Sequence, residues 1–378
     1  YELEMPDDEG KRYFSITDQI AVSFERDDED RVVGMTMYQA GFEFELPREG
    51  VETKSEIDES ELQRYLGRYH FDQMNADTEV LIQNHRLAID VPGQMVFELH
   101  PPDEEGKWAF RIQDRIKIRF NEDEEGRVES LTFFEGEMNY EMPRVADPEE
   151  SSLPTLDQLH ALRKSDERQA WLQKAGGIHI TATVRLVNAG VEGTIEIKCQ
   201  GTDQYSMHTD LSPFGFDYVA YDGHRGWTQS SFTPDEELEG KQLAQVRMGN
   251  PTAFLGALGN LYDSVRIVGV EEFEGREVIR VKLGRGELPD ETAFFDAENG
   301  DLLKVNSSMI VIGTITMSVV VLFEDYREID GLRMPFRFIS SSEANGKTIM
   351  QFEQLKTGLE FDDETFVVEL VESGIPTP

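Results

Sequence analysis

Seven histidines (His70, His85, His100, His160, His179, His208 and His224) and one cysteine, Cys199, are the side chains best suited to metal ligation or nucleophilic attack. A helical zinc pair needs two histidines three or four residues apart, and no two of these stand at that spacing. Cys199 shares an alternating apolar face with Ile195 and Ile197, which reads as a small buried hydrophobe rather than a reactive thiolate. Gly346-Lys347-Thr348 matches the tail of a phosphate-binding loop, but the upstream glycine is missing and Asn345-Gly346 reads as a hairpin turn. Gly284-Arg285-Gly286 lacks the third glycine of a dinucleotide fingerprint and lies between strand-like runs. Acidic runs at residues 27–30 and 122–125 lack the alternating ligands and the glycine of a calcium loop. No nucleophile–base pairing and no pair of buried carboxylates is legible. The reading is therefore of a chain without catalytic residues, metal site or cofactor.

What remains is apolar surface. Ile315, Met317, Val319, Val321 and Phe323 alternate with Thr314, Thr316 and Ser318, a strand with one strongly apolar face. The stretch 233–250 is mostly polar and 251–262 is rich in Leu and Phe; both read as helical. A curved sheet roofed by such helices has more apolar face than they can fill. Trp227, Phe254, Leu258, Ile315, Met317 and Val319 are the expected walls of an apolar ligand site. An acyl chain of about 14 methylenes, at roughly 0.8 kcal/mol each, would supply up to about 11 kcal/mol before the costs of association.

Composition narrows the partners. Lys plus Arg number 36 against 75 Asp plus Glu in 378 residues, a formal charge of −39. Such a surface repels phosphate backbones, so nucleic acid is excluded as a partner. No stretch approaches the roughly 18 uninterrupted apolar residues of a spanning helix, so no membrane span is expected. One cysteine forms no internal disulfide, and compartment is not legible from it. At 39% apolar residues the chain has enough for packed cores.

The elements themselves come from a duplication. Residues 1–48 align without a gap on residues 97–144, and 20 of the 48 pairs are identical, among them Gly10/Gly106, Phe14/Phe110, Phe24/Phe120 and Pro47/Pro143. The second copy reads as a helix over 59–66, capped by Asp58 or Ser60, then eight short alternating runs near 68–74, 78–83, 86–91, 95–100, 107–113, 115–121, 127–134 and 137–142. Eight strands joined by tight turns describe a small up-and-down barrel. The first copy holds the last five of these strands, too few to close a barrel. It is read either as part of a longer protein or as an open sheet packed on the second copy. An acidic linker, 145–155, separates these from a different region: a helix from Thr155 to Lys174, strands beginning at Ile178, and four or five further strands from about 264 to 355, ending in Phe366, Val367 and Val368.

Residues 155–372 resemble the bacterial lipoprotein-carrier (LolA/LolB-like) superfamily. The likeness rests on the helix leading into long strands, on Tyr221-Asp222-Gly223-His224-Arg225-Gly226-Trp227, and on Tyr326, Asp330, Gly331 and Pro335 at a spacing common in that group. It implies an incomplete antiparallel β-barrel covered by helices, with a concave face that holds acyl chains, in the periplasm or another extracytoplasmic space. Residues 56–146 resemble the lipocalin-like module of secreted serine β-lactamase-like hydrolases, through Leu62, Tyr65, Gly67 and Tyr69, then Arg86-Leu87 and Arg127, Val128 and Leu131. The expected organisation is a truncated lipocalin-like repeat (1–48), a complete eight-stranded repeat (56–146) and a LolA-like half-barrel (155–372). The expected function is non-catalytic binding of a lipid, an acyl chain or a lipoprotein. The alternative is an accessory substrate- or protein-interaction region of a larger secreted hydrolase or peptidase, whose catalytic domain would lie upstream.

Overall fold

The computed structural model describes residues 2–48, 51, 55–74, 76–91, 94–146, 152–286, 288–312, 315–342 and 346–368, without the side chains of 310–312, 315 and 363. The chain forms two compact units: residues 1–146 with 308–318, and residues 147–307 with 319–378. Both are built of antiparallel strands.

In the first unit the second repeat opens with α1 (Glu59–Leu62), whose N-terminal amide at Ser60 donates to the Asp58 carboxylate, followed by a 3-10 turn over Gln63–Tyr65. Eight strands follow: β5 (Gly67–Phe71), β6 (Ala76–Gln83), β7 (Arg86–Asp90), β8 (Val96–Glu98), β9 (Trp108–Phe110), β10 (Gln113–Glu122), β11 (Val128–Glu135) and β12 (Met138–Pro143). They form two four-stranded sheets, not one continuous closed ladder. Isolated bridges join the sheets at both edges, Leu99 with Phe110 and Tyr69 with Arg144. Between them Leu62, Tyr69, Leu87, Ile118 and Leu131 are buried in one core. Each such side chain contributes about 1.5–3 kcal/mol when fully removed from water.

The first repeat has β1 (Arg12–Phe14), β2 (Thr17–Arg26), β3 (Val32–Gln39) and β4 (Phe42–Pro47). The fifth expected strand is reduced to a bridge between Leu3 and Phe14, the counterpart of Leu99 with Phe110. Register is conserved between the copies at the offset of 96: Ile20 faces Gln39 as Ile116 faces Glu135, and a bulge falls at Glu25/Arg26 as at Asn121/Glu122. The turns repeat too. Asp27 accepts from the amides of Glu29 and Arg31 as Asp123 does from Glu125 and Arg127. Short acidic side chains are placed there to close the turn, which is what the acidic runs are for.

The second unit begins with α2 (Leu156–Leu162), held by a capping box between Thr155 and Gln158. The single helix expected from Thr155 to Lys174 is in fact two, α2 and α3 (Ser165–Ala175). The chain turns at Lys164, which adopts φ +52°, and the guanidinium of Arg163 folds inward onto the Phe295 ring at 5.0 Å. After Gly176 come β13 (Gly177–Leu186), β14 (Val191–Gln200), β15 (Gln204–Asp210), β16 (Phe216–Tyr221), β17 (Gly226–Ser230) and β18 (Glu236–Leu238). The polar segment expected to be helical contains that last strand and only a short helix, α4 (Gly240–Arg247); a 3-10 turn over Ala253–Leu255 and α5 (Leu258–Leu261) complete the cover.

Seven strands then return, not four or five: β19 (Ser264–Phe273), β20 (Arg276–Arg285), β21 (Leu288–Asp296), β22 (Leu302–Ile312), β23 (Ile315–Ile329), β24 (Leu332–Ser342) and β25 (Gly346–Leu359). Strands β20 and β21 are buried on both faces, with Val281 and Phe295 in one cluster and Val278 and Phe294 in another. The alternation that marks a half-buried strand is thereby lost. The chain end expected as a strand is a 3-10 turn, Asp363–Phe366. All thirteen strands form one sheet in the order β18-β17-β16-β15-β14-β13-β25-β24-β23-β22-β21-β20-β19.

The duplication supplies a direct stability test. The β3–β4 turn holds Ala40 at φ +54°, where its counterpart Gly136 sits at φ +62°. An alanine in the left-handed region is strained by about 1–2 kcal/mol, partly offset by glycine's larger unfolded-state entropy. Ala40→Gly is expected to stabilise the first unit by about 0.5–1 kcal/mol in denaturant unfolding. Gly136→Ala should destabilise it to a similar extent.

Candidate functional site

The apolar face of the thirteen-stranded sheet is largely filled by the chain's own cover. Leu172 and Ala175 of α3 and Leu255 of the 3-10 turn pack with Ile178, Ile180, Ile197 and Phe352. Leu159 of α2 and Leu258 of α5 pack with Val281, Phe295 and Phe323. The expectation of an uncovered apolar face underestimated these few residues: a Leu every turn suffices to cover a sheet face about 10 Å away.

A space is left where the cover is thinnest. A cavity of about 480 Å³ lies among α3, α4, α5, the 3-10 turn and the loops at Thr202–Asp203 and Tyr221–His224. Leu243, Ala244, Ala253, Leu261 and the Tyr221 ring are the apolar part of its lining, while Gln169, Asp203, His224, Arg247 and Asn260 supply polar atoms. Gln169 Oε1 is buried without a hydrogen-bond partner. Unlike α2 and α3, α4 has no fully buried residue, and unlike α2 it has no side-chain N-cap.

The motif loop has clear physical roles. Asp222 accepts from the amides of His224 and Arg225. Burial works against its charge, but these N–H groups and the nearby Arg225 hold its carboxyl below the usual range. Gly223 takes φ +99°, and the Arg225 guanidinium stacks 4.9 Å from the Trp227 ring. Gly226 lets Leu243 and Val246 of α4 approach the sheet; a Cβ there would meet them at 3.1 and 3.3 Å. Tyr205 donates to Val246 O at 2.9 Å, and burial pushes its phenol pKa up. Gly249 makes this approach feasible, since a Cβ would come within 2.4 Å of the Tyr205 hydroxyl.

Two buried networks hold the other cover elements. Arg163 donates to the carbonyls of Phe254 and Gly256, tying the α2–α3 corner to the 3-10 turn, and burial lowers its pKa to about 10. Tyr262 donates to Glu291 at 2.9 Å, and Glu291 also accepts from Ser307 and pairs with Arg285.

The six expected wall residues are dispersed. Trp227 packs with Ala220 and Val368. Phe254 and Leu258 belong to the core under α2 and α5. Met317 is buried in the first unit, where it bridges Met95. Val319 is half-buried in the second unit, and the side chain of Ile315 lies outside the described residues. None of the five with described side chains lines the cavity. The residues that do, Gln169, Arg247 and Asn260 above all, were not singled out from sequence. The signal lay in Asn260, a polar residue between Leu258 and Leu261, and in Gln169 beside the apolar Trp171 and Leu172.

The histidines do not converge. His70 pairs with Asp77, His85 with Glu59 and His179 with Glu196. Among the described residues no group of three or more His, Cys, Asp or Glu side chains stands close enough to hold a metal ion. No helix among them is long and apolar enough to cross a membrane.

Comparison with protein-family models finds no match, nor does comparison with curated proteins. Among solved structures the chain is similar to a LolA superfamily protein from Nitrosomonas europaea, at 12% identity over 53% of this chain and 97% of that one, with a TM-score of 0.39. A DUF1329 family protein from Desulfovibrio piger gives 10% identity, 56% and 97% coverage and a TM-score of 0.40. An outer membrane lipoprotein-sorting protein domain from Vibrio parahaemolyticus gives 13%, 54% and 95%, and 0.37. Likeness at this level assigns neither ligand nor activity.

Cys199, fully buried beside Thr252, has its thiol pushed up to about 12 by burial. Alkylation by iodoacetamide at pH 8 should be at least about a hundredfold slower in the folded protein than in denaturant, because so little thiolate forms. Equal rates would contradict the packing described.

Proposed function

We propose that the second unit is a non-catalytic, extracytoplasmic binding module that takes the apolar part of a lipid-type molecule, an acyl chain or a lipid-modified protein, into the cavity beside α4. The observation that carries this reading is the cavity itself: about 480 Å³, lined by both apolar and polar side chains, against the one cover helix that buries no residue. That volume is within the range of about 300–1,000 Å³ usual for small-molecule sites. The apolar lining residues suit methylenes, and Arg247, His224, Asn260 and the unpartnered Gln169 Oε1 suit a polar head group.

Outward movement of α4 would widen the cavity, and the glycines at both ends favour this. Gly240 has φ +51° with open space around it, and Gly249 follows the helix. Phe254 and Leu258 share their turns with the lining residues Ala253 and Leu261, so outward movement of that segment would bring them into an enlarged cavity. They are the expected wall residues that this reading retains.

Ala244 is half-buried in the cavity lining. Ala244→Trp fills the cavity without touching the sheet core. Displacement titration with a fluorescent fatty acid should show binding to the unaltered chain and at least about tenfold weaker binding to the variant. No binding by the unaltered chain, or equal binding by both, would refute the assignment.

A further inference from the structure

Four polar side chains of the cavity lining bind nothing in the protein. Among the described residues Gln169, His224, Arg247 and Asn260 have neither a side-chain hydrogen bond nor an ion pair. Asp203 takes one bond there, from the Thr202 hydroxyl at 3.2 Å. Gln169 Oε1 is buried from water as well as unpaired. Gly256 makes room for that amide. Its φ of −75° is open to any residue, but a Cβ would come within 2.9 Å of Gln169 Oε1. The absent side chain serves the amide beside it rather than the backbone.

The charges in the lining are matched. Gln204 Nε2 donates to Asp222 O at 2.9 Å and so joins the Thr202–Asp203 turn to the turn after β16. Tyr221 donates to Gly223 O at 2.9 Å. Burial raises the pKa of this phenol, Arg247 opposes the rise and Asp203 adds to it. One cation and one anion thus flank the same point of the wall without the close contact of an ion pair. In a chain of formal charge −39, a lining with one guanidinium, one carboxylate, two amides and a neutral His224 is locally balanced.

We propose, resting on the binding-module reading above, that this cavity selects lipids with a neutral, hydroxyl-bearing head group, of the monoacylglycerol kind, over lipids with ionised heads. A carboxylate or phosphate only accepts hydrogen bonds. It would be held by Arg247 but would face Asp203 and leave the Gln169 and Asn260 oxygens unpaired. An ammonium only donates, and would face Arg247. A hydroxyl does both, so it satisfies Asp203 and the amide oxygens as acceptors and Arg247 and the amide nitrogens as donors. It also costs far less to remove from water than either ion, which matters beside Leu243, Ala253 and Leu261. Gln169 and Asn260 are the specificity-determining residues, because their amides reward a group that can donate and accept at once.

The test is a displacement titration on the whole chain at pH 8, with the fluorescent fatty acid as probe. The competitors share one chain length and are each kept below the micellar concentration: a monoacylglycerol, a fatty acid, a lysophosphatidic acid and a lysophosphatidylethanolamine. The monoacylglycerol is expected to displace the probe at a concentration at least about tenfold lower than any of the three ionised competitors. Gln169→Leu keeps the bulk of the side chain and removes the amide, and should cut that ratio at least about threefold. Asn260→Leu should do the same, at an exposed position where the core is not disturbed. Equal displacement by all four, tighter binding of an ionised competitor, or a ratio unchanged in both variants would overturn this inference and leave the binding-module reading standing. A probe that fails to bind the unaltered chain would overturn both.

Discussion

The pairing of β13 with β25 is the contact on which the second unit depends. These strands are separated by most of the unit's sequence, yet they run antiparallel from Gly177 opposite Leu359 to Leu186 opposite Thr348. Without this ladder there would be two meanders, each with an open edge at the middle of the sheet. The ladder tolerates no side chain at its start: a Cβ on Gly177 would lie 2.5 Å from Leu359 O and 2.8 Å from the Phe361 ring. Such non-local pairing is costly to form in chain entropy and is held by the apolar layer across it, Ile180 beside Leu355 and Ala182 beside Phe352.

Once the sheet is one piece, its cover is determined by what remains between β18 and β19 and ahead of β13. Those segments are short, and they divide the work unequally. The α2–α3 corner and α5 are anchored by buried charges and by Leu159, Leu172 and Leu258, whereas α4 rests on Leu243, Val246 and one hydrogen bond from Tyr205. A binding module needs this inequality, because an evenly packed roof leaves neither space nor a way in.

The sequence disclosed most where one face of an element is wet. Alternation located β5–β12 and the start of β13, and the offset of 96 gave turns and register that recur bond for bond. It failed where both faces are buried, as in β20 and β21, and where a buried polar residue broke a pattern, as Arg163 did for α2–α3. The cavity was illegible for a related reason. Its lining comes from five separate segments, and the large apolar residues that looked like walls, Trp227, Phe254 and Leu258, are drawn into cores because they gain most from burial. A ligand space is bounded by what the cores leave over, here Ala244, Ala253, Gln169 and Arg247.

The account stands or falls on whether a ligand enters the cavity beside α4. Hydrogen exchange of the whole chain with and without a saturating fatty acid measures this directly. The account predicts slowed exchange confined to the amides of 202–203, 221–226 and 240–261, with β13 and β25 unchanged because their ladder is closed in both states. Unchanged exchange in those segments under saturating ligand, or protection appearing only elsewhere in the chain, would contradict it.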